Sequence, residues 1–276
     1  MRYKLYSILL GFIGVGGCLS VAAQSDTLAG VRRFLKVCND YKTLPVQVEV
    51  EITKSTNMVL SRADTATVKA IFYLDKNGSY IAMEGVEQLA NDSLVLLVNK
   101  TTKRMMVAAN HQSVADRLRE TLSLKGQDSS VSQLAGQFLT TEGSAEDTSI
   151  IDLTSRLPLP HASLPREQIT ARYSKRTGGL IEVLAVNRSL LSVGDSVFKA
   201  ASVRPEWAGR TVSFIAGHDS SYFLIREQQT VFRYLKIAHA QAAPLPAQIS
   251  DRLVSIGSGE YRPAKSYADF VLSKQY

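Results

Sequence analysis

The stretch Pro45–Ile52, PVQVEVEI, alternates polar and apolar residues without a break. Its three valines and Ile52 would share one face of a β-strand, with Gln47, Glu49 and Glu51 on the other, because successive side chains in a strand point to opposite faces. An apolar strand face has to be covered by another layer. The pattern therefore predicts a sheet with one buried face and a second layer packed against it.

The neighbouring segments supply further strands. Residues 67–74 and 79–85 flank Asn77-Gly78, a dipeptide typical of a tight hairpin turn, so we expect them to pair. Residues 93–109 predict two strands joined by a basic turn, and these are apolar on both faces. A run of this kind favours a sheet that is covered on both sides.

Helical periodicity identifies the candidate cover. Apolar residues recur at helical spacing in a segment from Ser25 to Cys38, in residues 113–124 and in residues 129–139. Each segment has one apolar stripe and must lie against something. We expect the three helices to cover the opening strand, and Cys38 to be a core residue of the first helix.

Strand patterns resume after a polar run at 140–148. They occupy residues 149–153, 168–175, 180–187, 210–217, 221–227 and 230–238. Between them lie a proline-rich loop at 157–165 and a segment at 188–209 that we expect to be irregular. Residues 242–248, AAPLPAQ, are typical of a linker, and a short tail follows. The order of elements indicates an α+β protein that is mainly β.

The N-terminal segment predicts export. Arg2 and Lys4 precede a short apolar run, and small residues end at Ala23, so residues 1–23 fit a secretory signal peptide. Two alternatives stay open: lipid attachment at Cys18 in VGGC, and retention of the segment as a membrane helix. After the signal the apolar runs are too short for a transmembrane helix. We expect a curved-sheet domain at 24–241, a linker and tail at 242–276, and a location in the periplasm or cell envelope.

Composition argues against several kinds of site. The chain has 32 basic and 25 acidic residues, and the excess is scattered, so no nucleic-acid partner is predicted. Basic clusters at 100–104 and 172–176 are typical of solvated turns. Cys38 is the one cysteine after the signal, and the four histidines are dispersed, so neither a disulfide nor a metal site is predicted. No cofactor is implied.

Catalytic motifs are equally weak. Ser196 and Lys199 have the Ser-x-x-Lys spacing of penicillin-recognising acyl enzymes, but the companion motifs are missing or in reverse order. His218 and Asp219 are adjacent and would point apart in a strand or tight turn. The glycine cluster at 14–17 lies in the predicted signal peptide, so it does not indicate a phosphate-binding loop. The sequence predicts no catalytic residue and no enzyme.

The succession of a helix, several antiparallel strands, two helices and more strands behind a signal peptide resembles the outer-membrane lipoprotein carrier and receptor family, the LolA and LolB proteins. The best local match is NDSLVLLVNKTTKRMMV at residues 91–107, which resembles the central strand, turn and strand of that family. The resemblance covers roughly residues 25–240. It implies a strongly curved antiparallel sheet, a half-open barrel, covered by a few short helices, with acyl chains bound between sheet and helices.

Two functions are compatible with this interpretation, and an enzyme of unfamiliar type ranks third behind them. The first is an exported binding protein that holds a lipid or other apolar ligand. Its predicted apolar lining comprises Val46, Val48, Val50, Ile52, Phe72 and Leu96. The second is an envelope interaction module, with a packed core and a protein partner.

Overall fold

The structure is a computed structural model, and it describes residues 24–39, 44–75, 78–110, 127–216, 219–239, 248–257 and 259–275. Within these ranges the helices are α1 (Gln24–Asn39), α2 (Gln127–Gln137) and α3 (Asp195–Ser202). The strands are β1 (Val46–Thr56), β2 (Ala66–Leu74), β3 (Gly78–Met83), β4 (Val86–Asn91), β5 (Leu94–Asn99), β6 (Arg104–Ala109), β7 (Phe138–Ala145), β8 (Thr148–Ser155), β9 (Glu167–Ser174), β10 (Leu180–Val193), β11 (Thr211–Ala216), β12 (Asp219–Ala238), β13 (Leu253–Gly257), β14 (Glu260–Pro263) and β15 (Val271–Gln275).

Several predicted features lie outside the described residues. They are the signal peptide at 1–23, the helix at 113–124, Asn77 of the predicted turn, and most of the predicted linker. The side chain of Cys38 is also outside the described part, although its backbone belongs to α1.

Thirteen strands form one large sheet. Its order is β15-β6-β5-β4-β3-β2-β1-β12-β10-β9-β8-β7, with β11 paired to β12 beside this path. Neighbouring strands in the described sheet run antiparallel, except that β15 runs parallel to β6. The predicted mainly β class is therefore confirmed, and its core is an antiparallel sheet.

The opening stretch is a strand in the middle of this sheet. β1 pairs with β2 on one side and with β12 on the other. Val46, Val48, Val50 and Ile52 are 1–8% exposed, whereas Gln47, Glu49 and Glu51 between them are half-buried. The predicted alternation is confirmed, and so are the pairings of β2 with β3 and of β5 with β6.

Strand β4 was missed. Residues 79–85 were predicted as a single strand, followed next by the strands within 93–109, but the chain turns at Glu84 and Gly85 and returns as β4. Both turn residues have positive φ, 48° and 76°, the left-handed conformation that a tight hairpin requires. Glu-Gly is a weaker sequence signal for such a turn than Asn-Gly.

The predicted helix at 129–139 is too long at its C-terminal end. α2 ends at Gln137, and Phe138 begins β7, whose register places it opposite Ser155. The polar run at 140–148 is largely this edge strand, not an interruption. An edge strand with mostly exposed residues lacks the alternation by which strands are recognised in a sequence.

The far end of the sheet is also more regular than expected. The segment at 188–209 was predicted to be irregular, but β10 extends to Val193 and α3 follows. The two strands predicted at 221–227 and 230–238 are one continuous strand, β12, of 20 residues. Its length lets it pair with β11 and then β1 along one edge, while β10 pairs along the other.

The two faces of the sheet are named by what covers them. Because directly opposite residues of antiparallel strands share a face, the registers assign each strand residue to the face of its partners. The helix face carries Val48, Val50 and Ile52. On this face Val31 and Val131, from α1 and α2, pack with Leu153 of β8.

The opposite face, which carries Glu49 and Glu51, is the tail face. Residues 248–275 pack on it over β4–β6, with Leu253 buried against Leu89 and Leu96. β13 and β14 form a hairpin, and β15 adds a strand to the main sheet. The segment predicted as a tail is thus part of the sheet's covering layer.

Candidate functional site

The predicted apolar lining falls into two groups. Val50 and Ile52 form a buried cluster with Ala70, against which Phe72, Met83, Phe232 and Tyr234 pack. The register places Val48 directly opposite Phe72, and Val46 opposite Leu74, on the same face. Five of the six predicted residues therefore lie together on the helix face.

Leu96 lies on the other face. Its register partners are Leu89 and Val107, and it packs with Val98, Met105 and Leu253 beneath the tail. β5 is apolar on both faces, so alternation within the strand cannot tell which residues point to which side. The pairing of β3 with β4, which depends on the missed turn, determines the face on which Leu96 lies.

The helix face of β3–β6 carries apolar residues that the sequence analysis did not select. They are Ile81, Met83, Val95, Leu97, Met106 and Ala108, and all are half-buried. On β5 and β6, by contrast, the tail-face residues Leu96 and Val98 are 0% exposed and Met105 is 1% exposed. The two faces of β5 and β6 are thus covered to very different degrees.

The register connects these residues into one surface. Phe72 lies opposite Ile81, and Leu97 lies opposite Met106. Gln88 of β4, itself half-buried, sits between Ile81 and Leu97. We call Phe72, Ile81, Met83, Leu97 and Met106 the open apolar surface. Successive hairpin pairings would have located it in the sequence, had the turn at Glu84 been recognised.

The tail is fixed to the sheet by a buried carboxylate. The side chain of Glu87 on β4 is 4% exposed and lies 2.7 Å from Lys100 Nζ and 3.2 Å from Arg252 Nε. The hydroxyl of Tyr80 donates a third hydrogen bond to Glu87 at 2.9 Å. Arg252 also lies over the ring of Tyr267, 5.1 Å from its centre. These contacts attach the tail to β3, β4 and the β5–β6 turn.

The pKa values follow from this geometry. Burial alone would raise the pKa of Glu87, but hydrogen bonds from Lys100, Arg252 and Tyr80 outweigh it and lower that pKa below its usual value. Burial, together with the bond to Glu87, raises the pKa of Tyr80 to about 12. Glu87 therefore stays ionised and Tyr80 stays protonated at neutral pH.

A second buried carboxylate lies on the tail face at the far end of the sheet. Arg188 Nε lies 2.7 Å from Glu227 Oε2, and both side chains are nearly buried. Gln229 donates to the other oxygen of Glu227 at 2.9 Å, and Arg188 also donates to the carbonyl of Pro165. The ion pair joins β10, β12 and the proline-rich loop. The polar atoms of Arg188 and Glu227 named above all contact other groups of the fold.

The serine and lysine of the acyl-enzyme pattern lie on α3. Lys199 Nζ pairs with Asp195 Oδ2 at 2.7 Å on the exposed side of that helix. The hydrogen bond to Asp195 raises the pKa of Lys199, whereas a lysine that acts as general base needs a lowered one. His218, of the His-Asp pair, lies outside the described residues.

None of the helices in the described ranges is both long enough and apolar enough to cross a membrane. Among the described residues, no three His, Cys, Asp or Glu side chains come together as a candidate metal site. No protein-family model matches the chain, and comparison with curated proteins found no significant match.

Proposed function

We propose that this protein is an exported cell-envelope binding protein that holds a lipid-like or other apolar ligand on the helix face of its sheet. The observation that carries the proposal is the open apolar surface. Its residues are half-buried, while the tail-face residues of β5 and β6 are 0–3% exposed: Leu96, Val98, Met105 and Val107. Apolar side chains left partly exposed side by side are typical of a binding surface.

The finer architecture belongs to this proposal. We infer that the sheet curves into a half-open barrel around the ligand, with the predicted helix 113–124 as part of the cover. The number of strands supports curvature, because twisted open sheets of more than about ten strands generally curl. The ends of the strand order, β15 and β7, are not paired with each other.

The energetics need no special residue. Burying roughly 300 Å² of an acyl chain stabilises the complex by about 7 kcal/mol before the cost of ordering the ligand. Export by the predicted signal peptide supports a lipid ligand, because the envelope is where such molecules are carried between membranes. Anchoring through Cys18 remains the alternative route to the same location.

Probe binding tests the proposal. Leu97→Gln combined with Met106→Gln places two amides on the open apolar surface, and we expect about tenfold weaker binding of the fluorescent apolar probe phenylnaphthylamine. Ile71→Gln is the matched control, since Ile71 is apolar, 38% exposed and on the tail face of β2. Its binding should equal that of the wild type.

Native mass spectrometry of protein purified from its own envelope provides an independent test. A co-purified lipid that organic extraction releases supports the proposal. Absence of any bound lipid, together with probe binding that the double variant leaves unchanged, contradicts it.

One observation favours the alternative, an interaction module with a packed core. The helix face at β1 is filled by the protein's own side chains, since Phe72, Phe232 and Tyr234 pack on Val50 and Ile52. Val48→Ala separates the two functions. In a packed core it lowers the free energy of unfolding by roughly 1–3 kcal/mol. At a ligand pocket the empty protein is almost unaffected, and the loss appears in probe affinity.

A further inference from the structure

A pocket of 420 Å³ lies where the tail meets the ends of β3 and β4. One wall is Ser79 and residues 89–91 of the sheet, and the other comes from residues 248–261 of the tail. The volume falls within the range of about 300–1,000 Å³ that is typical of small-molecule sites. This pocket is separate from the open apolar surface, so it is independent of the function proposed above.

The lining combines an apolar base with a polar rim. Leu89, Leu253 and the ring of Tyr261 provide the apolar part, and they belong to the core beneath the tail. The polar part consists of two carboxamides and two hydroxyls, from Asn91, Gln248, Ser250 and Ser255. Ser79 lies opposite Leu74 and Ala90, so its side chain belongs to the helix face. Among the described residues that line the pocket there is no Asp, Glu, Lys, Arg or His.

This composition restricts the ligand. A charged molecule would lose hydration without gaining a counter-charge from the described lining. An alkyl chain would make no hydrogen bonds to the amides and hydroxyls of the rim, of which Gln248, Ser250 and Ser255 are exposed. A neutral molecule with several hydroxyls needs no counter-charge and can form hydrogen bonds with the rim. Carboxamides can donate to one hydroxyl and accept from its neighbour, and an aromatic ring packs against the C–H face of a sugar.

Asn91 is oriented before any ligand binds. Its Oδ1 accepts hydrogen bonds from the backbone N–H groups of Ser93 and Leu94, at 2.9 and 2.8 Å. These bonds fix the plane of the carboxamide and leave its Nδ2 as the donor directed away from the turn. A donor held in place reduces the entropy that binding would otherwise cost.

Arg252 directly precedes Leu253 of the tail wall, and its ion pair with Glu87 holds the two walls together. The sheet wall cannot accept a peptide as an added strand. The backbone of β4 already pairs with β3 on one side and β5 on the other. Recognition at this wall therefore depends on side chains, as it does for saccharides.

We propose that this pocket binds a neutral saccharide, one or two sugar rings in size, with Tyr261 as the stacking platform and Asn91 and Gln248 as hydrogen-bonding residues. Glucose, N-acetylglucosamine and maltose are suitable probes. Saturation-transfer NMR on the full-length protein should detect at least one of them.

Three variants test the assignment. Tyr261→Ala removes the platform, and Asn91→Asp keeps the oxygen that the turn requires while replacing the Nδ2 donor with a charged oxygen. Each should weaken saccharide binding about tenfold. Tyr261→Phe retains the ring and should bind within about twofold of the wild type.

Circular dichroism provides the folding control, and Asn91→Asp should retain the wild-type spectrum because it preserves the turn. The proposal is overturned if none of the three saccharides binds, or if Tyr261→Ala and Asn91→Asp bind as well as the wild type. It is also overturned if a neutral tripeptide binds more tightly than every saccharide with the same dependence on Tyr261 and Asn91.

Discussion

Strands β7–β9 and strands β4–β6 belong to one sheet, yet they bury opposite faces. In the first group α1 and α2 cover the helix face, and Val31, Phe138 and Leu153 are 0–2% exposed there. In the second group the tail covers the tail face, and Val95, Leu97 and Met106 of the helix face stay half-buried. A sheet covered on alternate faces along its width retains an apolar surface that its own described helices do not fill.

Substitutions at two adjacent residues test this comparison, and one of them should give the largest effect. Leu96→Asp places a charge beneath the tail and should cost more than about 4 kcal/mol of unfolding free energy, which prevents folding. Leu97→Asp places the same charge on the open apolar surface, where water can reach it, and should cost about 1–2 kcal/mol. Chemical denaturation measures both. Equal losses would show that the helix face of β5 is packed as closely as the tail face.

The sequence could predict one half of this arrangement better than the other. β1 has alternating residues and a strong turn signal nearby, so its buried face was identified correctly from Val46 to Ile52. β5 has no alternation, and Leu96 could be assigned to a face only through three hairpin registers. The Glu84-Gly85 turn between β3 and β4, on which those registers depend, has a weak signal.

Long-range pairing was beyond the reach of local patterns. The pairing of β1 with β12 joins residues more than 170 positions apart, and β15 pairs with β6 across a similar distance. Neither pairing has a turn that would mark it in the sequence. The pocket between Asn91 and Tyr261 was missed for the same reason, because its walls meet only when the tail packs on the sheet.

The attachment of the tail is the next contact to break. Glu87→Gln removes the charge that Lys100 and Arg252 share beneath the tail, and it leaves the nearly buried Arg252 without a counter-ion. We expect a loss of about 2–3 kcal/mol, somewhat less than for a fully enclosed ion pair, because Lys100 is half exposed. Hydrogen exchange should rise in residues 248–275 and remain unchanged in α1.

Acid should weaken the same contact in the wild type. The pKa of Glu87 is lowered in the folded protein, so its contribution is present above the pKa of an unfolded glutamate, about 4.3, and is lost as pH falls through the lower folded value. Protection of the tail against exchange should therefore decline below about pH 4. Glu87→Gln should lack this part of the pH dependence, and an identical decline in the variant would assign it to other groups.

The packing of α1 on β7 can be tested by a single methyl group. A Cβ at Gly30 would lie 2.7 Å from Thr140 Oγ1 and 2.8 Å from Thr140 Cβ, so α1 has to shift. We expect Gly30→Ala to cost roughly 1–3 kcal/mol. Gly136→Ala in α2 is the control, with no atom within 4 Å of the new methyl, and should stabilise by about 0.5–1 kcal/mol. Thermal unfolding measures both. A neutral Gly30→Ala would mean that α1 packs loosely.

The smallest effect is expected where the tail face has no cover. Glu51 lies on the same face as Glu87, but its partner Arg233, at 3.3 Å, is 57% exposed. Water and salt screen such a pair, so Glu51→Gln should change the free energy of unfolding by no more than about 0.5 kcal/mol. The difference should disappear near 1 M salt, where the screening length is only about 3 Å, whereas the loss in Glu87→Gln should persist. Two glutamates on one face would then differ in energy because one of them lies under the tail. If Glu51→Gln cost as much as Glu87→Gln, coverage by residues 248–275 would not be the cause of the difference between the two halves of the sheet.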